Sequence, residues 1–237
     1  MNTSKAIKLR DTPLTKGDEK WMKSYFDATY TEAEDDEKNC RVAPSATHGN
    51  GVFVTRDIKK GERVTLYPAH FVVWETKKGE LVATPKQNPN EENTYYRLVG
   101  LDGKCSVSGN PKIHHSHSAG HLLNDGGVVG TFTKETCGAD ICRYMLTTLQ
   151  NENCDFIQGN EDKFMWVVAS RDIKAGEELF VSYGLQYWLS AVSGVPVKTQ
   201  KVMWEFIQSI CGKTKTEFLM KKYYESTRGL ATMDVVF

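Results

Sequence analysis

The chain has 237 residues, with 30 Lys and Arg against 30 Asp and Glu, no formal net charge, and 40% apolar and 11% aromatic side chains. This supports one sizeable core with room for an appended lobe, and neutrality leaves no electrostatic footprint for direct nucleic-acid binding. No run of ~18 apolar residues and no apolar stretch behind the first lysines occurs, and six scattered cysteines lack a Cys-x-x-Cys pair, so the expectation is a reduced, intracellular protein of nucleus or cytoplasm.

Trp21, Met22, Tyr25, Phe26 and Tyr30 recur at helical spacing behind Thr15 and predict an amphipathic helix leaning on the core within positions 15–35. The acidic run from Glu32 to Glu37 reads as a solvated linker, with docking of a basic substrate as the second reading. From Val52 to Trp74 the β-branched and aromatic content predicts successive strands, where the domain core begins. Lys77 to Glu92, with Gly79, Pro85 and Pro89, reads as a loop or hairpin tip. Tyr95–Leu98 and Cys105–Ser108 read as short strands joined through an Asp102-Gly103 turn. His114, His115, His117 and His121 match no closed tetrahedral spacing, even with Cys137 and Cys142, and no metal is assigned. Ala139–Gln150 predicts a helix, and Cys154–Gln158 with Lys163–Ala169 a hairpin around Gly159-Asn160.

Beyond Trp188 the pattern turns helical. Val202, Met203, Phe206, Ile207 and Ile210 form one stripe ended by Gly212, and Phe218, Leu219, Tyr223 and Tyr224 a second. This predicts an αα-hairpin packed on the core, whose aromatics also offer a homodimer surface or a cover for a cofactor. One motif occurs twice: Arg56-Asp57-Ile58-Lys59-Lys60-Gly61-Glu62 and Arg171-Asp172-Ile173-Lys174-Ala175-Gly176-Glu177. Two copies are too few for a solenoid and read as two strand-turn-strand devices, with Asp bonding its own turn backbone and Gly supplying φ > 0.

Around these copies stand His48-Gly49-Asn50-Gly51, Gly120-His121-Leu122-Leu123-Asn124-Asp125, Asn153-Cys154, and Gly176-Glu177-Glu178-Leu179 running into Tyr183-Gly184. In that order the chain resembles the SET-domain protein lysine methyltransferases over roughly Ala46 to Trp188. The resemblance implies a β-rich α+β fold of several short sheets, with a threaded pseudoknot bringing Asn124, Asn153 and Tyr183 together. The implied organisation is an N-terminal helical and linker segment at 1–45, a SET catalytic domain at 46–188 with an insertion at about 127–150, and a C-terminal helical segment at 189–237.

The implied activity is transfer of methyl groups from S-adenosylmethionine to a lysine ε-amine in a protein substrate, either a histone tail or another target. Tyr183 takes the position of the family's catalytic tyrosine, and Tyr67 that of a tyrosine lining the lysine channel. Phenol-lined walls suit the task, because the ammonium must be desolvated and deprotonated before it can attack. Gly49, Asn50, Gly51 and Asn124 match the cofactor-holding residues. Asp125 stands where His is usual, leaving its main chain as the implied contact, and Trp188 or Trp204 is a candidate to stack on adenine, each also a core position. Tyr95, Phe156 and Val181 are the remaining channel candidates. Neither Phe156 nor Val181 supplies a restricting phenol, so products beyond monomethyl-lysine are expected. Only Cys211 follows Tyr183, so the family's cysteine-rich zinc segment is absent. Asp125 and the insertion keep a second reading open, that of a catalytically silent SET module that binds proteins.

Overall fold

The computed structural model describes residues 15–30, 39–75, 81–84, 97–100, 105–113, 115, 117–194 and 200–226. Tyr95, the 32–37 acidic run and the Asp102-Gly103 turn lie outside them. The strands are β1 (Cys40–Pro44), β2 (Asn50–Val54), β3 (Arg63–Leu66), β4 (Phe71–Glu75), β5 (Leu81–Thr84), β6 (Arg97–Gly100), β7 (Cys105–Ser108), β8 (Asn124–Asp125), β9 (Cys154–Gln158), β10 (Met165–Ala169) and β11 (Phe180–Val181). The helices are α1 (Lys16–Tyr30), α2 (Cys137–Asn151), α3 (Leu185–Ser193), α4 (Gln200–Cys211) and α5 (Lys213–Ser226). The expected β-rich α+β class is observed. No helix among the described residues is long and apolar enough to cross a membrane.

Two compact units are present, one of residues up to Asn124 with Asn153–Leu179, the other of Asp125–Glu152 with the chain from Phe180 onward. The first is built of antiparallel sheets in the orders β1-β2, β3-β10-β9 and β5-β4-β7-β6. Its interior is β-branched and aliphatic, with Val52, Val54, Val64, Leu66, Met165, Val167 and Leu179 buried. Helix α1 starts where Thr15 predicts: Asp18 N–H donates to Thr15 Oγ1 (3.2 Å) and Thr15 N–H to the Asp18 carboxylate (2.7 Å), a reciprocal cap. Met22, Tyr25 and Thr29 form its buried face. The Tyr25 phenol accepts from Met165 N–H (2.9 Å) and donates to the Tyr67 carbonyl (2.7 Å), while its ring stacks on Phe164. Burial pushes its pKa far up, which keeps it a donor.

Two segments differ from expectation. Cys40–Pro44, read as linker, is a strand because it completes a two-stranded sheet against β2. Leu81–Thr84, inside the expected loop, pairs with β4, since its apolar, β-forming residues outweigh the flanking Gly and Pro signals.

The repeated motif forms a reciprocal clasp, and the strands flanking each copy pair with other strands. Ile58 and Ile173, both buried, exchange backbone hydrogen bonds of 2.9 Å each. Lys59 pairs with Asp172 (2.8 Å) and Lys174 with Asp57 (2.7 Å). Contrary to expectation, each Asp caps the other copy's turn, at Lys60 N and Ala175 N, both 3.0 Å, while Glu62 and Glu177 accept within their own turns, from Lys59 N and Lys174 N. Gly61 and Gly176 occupy the same left-handed turn position, at φ 86° and 87°.

The second unit is largely helical, with β11 pairing β8 at its edge. Its core gathers Phe132, Ile141, Tyr144, Leu185, Leu189, Met203, Trp204, Ile207 and Leu219. The predicted helix of the insertion is α2, and the predicted αα-hairpin is α4 and α5, separated by Gly212 at φ 79°. Trp204, Tyr223 and Tyr224 pack on one another within that hairpin, with the centroids of Trp204 and Tyr223 5.5 Å apart. Helix α3 is an addition to the sequence reading. It follows the positive-φ turn at Gly184 (φ 86°) and buries Leu185 and Leu189, one helical turn apart.

Candidate active site

In the first unit, the exposed turn His48-Gly49-Asn50 is held from behind by one side chain. The Asn124 amide donates to His48 O and Asn50 O (3.1 Å each) and to Glu178 Oε1 (2.9 Å). Glu178 Oε2 in turn accepts from Ser45 Oγ at 2.9 Å. Asn153, almost fully buried, donates its amide to the Glu178 carbonyl at 2.7 Å. Glu178 therefore joins Asn124, Asn153 and the turn in one network. Gly51 is required by it, because a Cβ there would strike the Glu178 carboxylate. Gly49 differs: at φ 51° it has open space where a Cβ would point.

Tyr67 lies just after β3 and is buried, its N–H donating to Met165 O at 2.8 Å. Phe156, half-buried on β9, stands edge-on to the Tyr67 ring at 5.5 Å and 89°. His121 approaches Tyr67 from elsewhere, centroids 6.4 Å apart, and its Nε2–H donates to Asn110 O at 3.0 Å. Tyr95 is the one channel candidate outside the described residues.

In the second unit, Asp125, Val181, Tyr183 and Trp188 come together with residues of α2. Asp125 Oδ2 accepts from Tyr183 N–H, Tyr144 OH and Trp188 Nε1–H, each at 2.8 Å, and Oδ1 from Gly127 N–H at 2.6 Å. Burial raises the Asp125 pKa, and these four donors oppose that by favouring the carboxylate. The Tyr183 ring lies parallel to Trp188, centroids 5.9 Å apart at 15°, and Tyr187 closes edge-on to both. Val181 is buried in β11, and its carbonyl accepts from Gly126 N–H at 3.0 Å. Trp204, the other tryptophan considered for adenine, is buried in the helical core.

Tyr144 and Glu178 are central to these networks, and nothing in the sequence marks their roles. Tyr144 sits on the apolar stripe of an inserted helix, where a tyrosine reads as packing. Glu178 lies inside the Gly176–Leu179 motif, but the partners of its carboxylate, Asn124 and Ser45, are 54 and 133 residues away along the chain.

The SET-domain family model matches residues 49–184, more than half of the chain, and the chain belongs to the SET-domain family. No curated protein matches it in sequence. Among solved structures, a Plasmodium falciparum protein provisionally named a histone methyltransferase is similar, at 17% identity over 63% of this chain and 96% of its own, with a TM-score of 0.34.

Proposed function

We propose that the protein transfers methyl groups to the ε-amine of a lysine in a protein substrate, a histone or another target. The observation that carries this reading is the network that joins the family's motif residues in the first unit: Asn124, Asn153 and Glu178 together hold the exposed 48–50 turn. That turn suits a ligand, because Gly49 leaves its outer side open and the backbone is held from within. In this reading Gly49, Asn50 and Gly51 receive S-adenosylmethionine through their main chain. Asn124 acts by fixing the turn, and Trp188 and the main chain at Asp125 are proposed separately as cofactor contacts. The cofactor supplies the methyl group to be transferred.

A free lysine amine has a pKa of about 10.4 and carries no lone pair while protonated, so the protein must desolvate it and stabilise its neutral form. Tyr183 is assigned that orienting role through its phenol. Tyr67, Phe156, Val181 and Tyr95 are assigned to the lysine channel, whose apolar walls disfavour the ammonium. The second reading, a silent protein-binding SET module, draws on Asp125, whose carboxylate is wholly engaged by protein donors. A homodimer through α4 and α5 is a further proposal, read from the exposed Phe218 and Tyr224.

The test is incubation of the protein with isotopically labelled S-adenosylmethionine and core histones or a cell lysate, followed by mass spectrometry. Label on lysine side chains upholds the enzyme. Absence of label together with absence of cofactor binding at millimolar concentration favours the silent module.

A further inference from the structure

One carboxylate oxygen, Asp125 Oδ2, holds the backbone N–H of Tyr183 and the indole N–H of the tryptophan stacked on the Tyr183 ring, each at 2.8 Å. Its third donor is the Tyr144 hydroxyl, which also accepts from Gly184 N–H at 3.0 Å and lies 3.2 Å from Ser182 Oγ. Three consecutive residues, Ser182, Tyr183 and Gly184, are therefore tied to two side chains that are only 6% and 3% exposed. Space is closed around the pair, since a Cβ on Gly127 would strike the Tyr144 ring. Such geometry exceeds what packing of a helix requires. A phenylalanine at 144 would fill the same core volume, and only the hydroxyl reaches the 182–184 segment.

We propose that Asp125 and Tyr144 are a positioning pair that holds Tyr183 and Trp188 for the reaction, which makes the inserted helix α2 a working part of the site. The pair acts through backbone and ring placement and touches no reacting atom itself. The proposal rests on the methyltransferase reading above.

Tyr144→Phe removes one oxygen, and Asp125→Asn turns one carboxylate oxygen into a donor that faces donors. Tyr144→Phe, at a residue outside the assigned binding set, is expected to lower kcat for methyl transfer by about tenfold or more while KM for S-adenosylmethionine stays within about threefold, whereas Asp125→Asn, which also releases Trp188, is expected to lower kcat by at least as much and to raise that KM. The double variant is expected to be no slower than the slower single one, as befits residues acting as a unit. Amide hydrogen exchange of the 182–184 segment, which needs no activity, is expected to speed up in both variants. Wild-type kcat in either variant, or unchanged exchange, overturns the pair, and additive losses overturn its action as a unit. Should Asp125→Asn fail to fold, Tyr144→Phe carries the test. In a wild-type chain without transferase activity the reaction assignment falls, and exchange alone then decides the pair: faster exchange upholds it and unchanged exchange overturns it.

Discussion

Phe156 presents its ring edge-on to Tyr67 at 5.5 Å, and neither it nor Val181 carries a hydroxyl that would tether an incoming amine or hold a water beside it. Under the proposed function, a long reaction on the best substrate yields di- or trimethyl-lysine, and Phe156→Tyr shifts the distribution toward monomethyl-lysine. Mass spectrometry showing only monomethyl-lysine from the wild type contradicts the channel assignment. A second residue-scale effect concerns His70, which is buried and accepts at Nδ1 from Asn110 N–H at 2.8 Å. Burial, aided by the neighbouring His115, lowers its pKa to about 4 from 6.5. Below pH 6.5 the unfolded chain takes up a proton that the folded chain refuses, so stability falls as pH drops from 6.5 to 4, by about 3 kcal/mol in total. His70→Asn keeps an acceptor for Asn110 and removes this titration. Its urea-unfolding free energy is expected to vary less with pH than the wild type's between those limits, and parallel curves would exclude the assignment.

At the scale of elements, the reciprocal clasp shows what repetition in the sequence does and does not reveal. The two Arg-Asp-Ile-Lys-x-Gly-Glu segments are plain to read as turns, yet their mutual pairing joins residues 112 to 118 positions apart, which local pattern does not encode. Its exposed ion pairs contribute little individually. Regular backbone demands matter more: Gly176 sits at φ 87° with nothing within 4 Å of a Cβ, so Gly176→Ala meets no clash and only the left-handed penalty of about 1–2 kcal/mol. Thermal unfolding is expected to fall by about 2–4 °C for each kcal/mol lost. An unchanged or raised Tm would show that the turn relaxes away from positive φ. Helix α1 was legible because its Thr15 cap and the spacing of Trp21, Met22, Tyr25, Phe26 and Tyr30 are local signals, although at its end Thr29 is buried and Tyr30 exposed. Strand β1 was not, because its five residues become a strand only through pairing with β2. Helix α3 starts directly after the Tyr183-Gly184 motif, where a strand-and-turn pattern masks its start.

For the whole molecule, motif order was enough to identify the family, and the matched residues 49–184 begin and end at the glycines flanking the motif blocks. The C-terminal hairpin was likewise legible from short-range periodicity, and the α+β class was implied by the resemblance. The connections within each site were not: Asn124 to Glu178 and Asp125 to Trp188 span 54 and 63 residues. Under the proposed function, bound cofactor would shift the unfolding of the chain by mass action, by about 2.7 kcal/mol at a hundredfold excess over Kd. S-adenosylmethionine or its demethylated product is expected to raise Tm, and Asn124→Ala to weaken that shift by loosening the 48–50 turn. An Asn124→Ala protein with the full shift would remove the turn from the cofactor site.

The most direct measurement compares methyl transfer by the wild type and Tyr183→Phe on one substrate, with cofactor affinity measured alongside by calorimetry. Loss of a single transition-state hydrogen bond costs about 3 kcal/mol, so Tyr183→Phe is expected to be slower by about a hundredfold with unchanged cofactor affinity. Transfer at the wild-type rate by Tyr183→Phe would contradict the account.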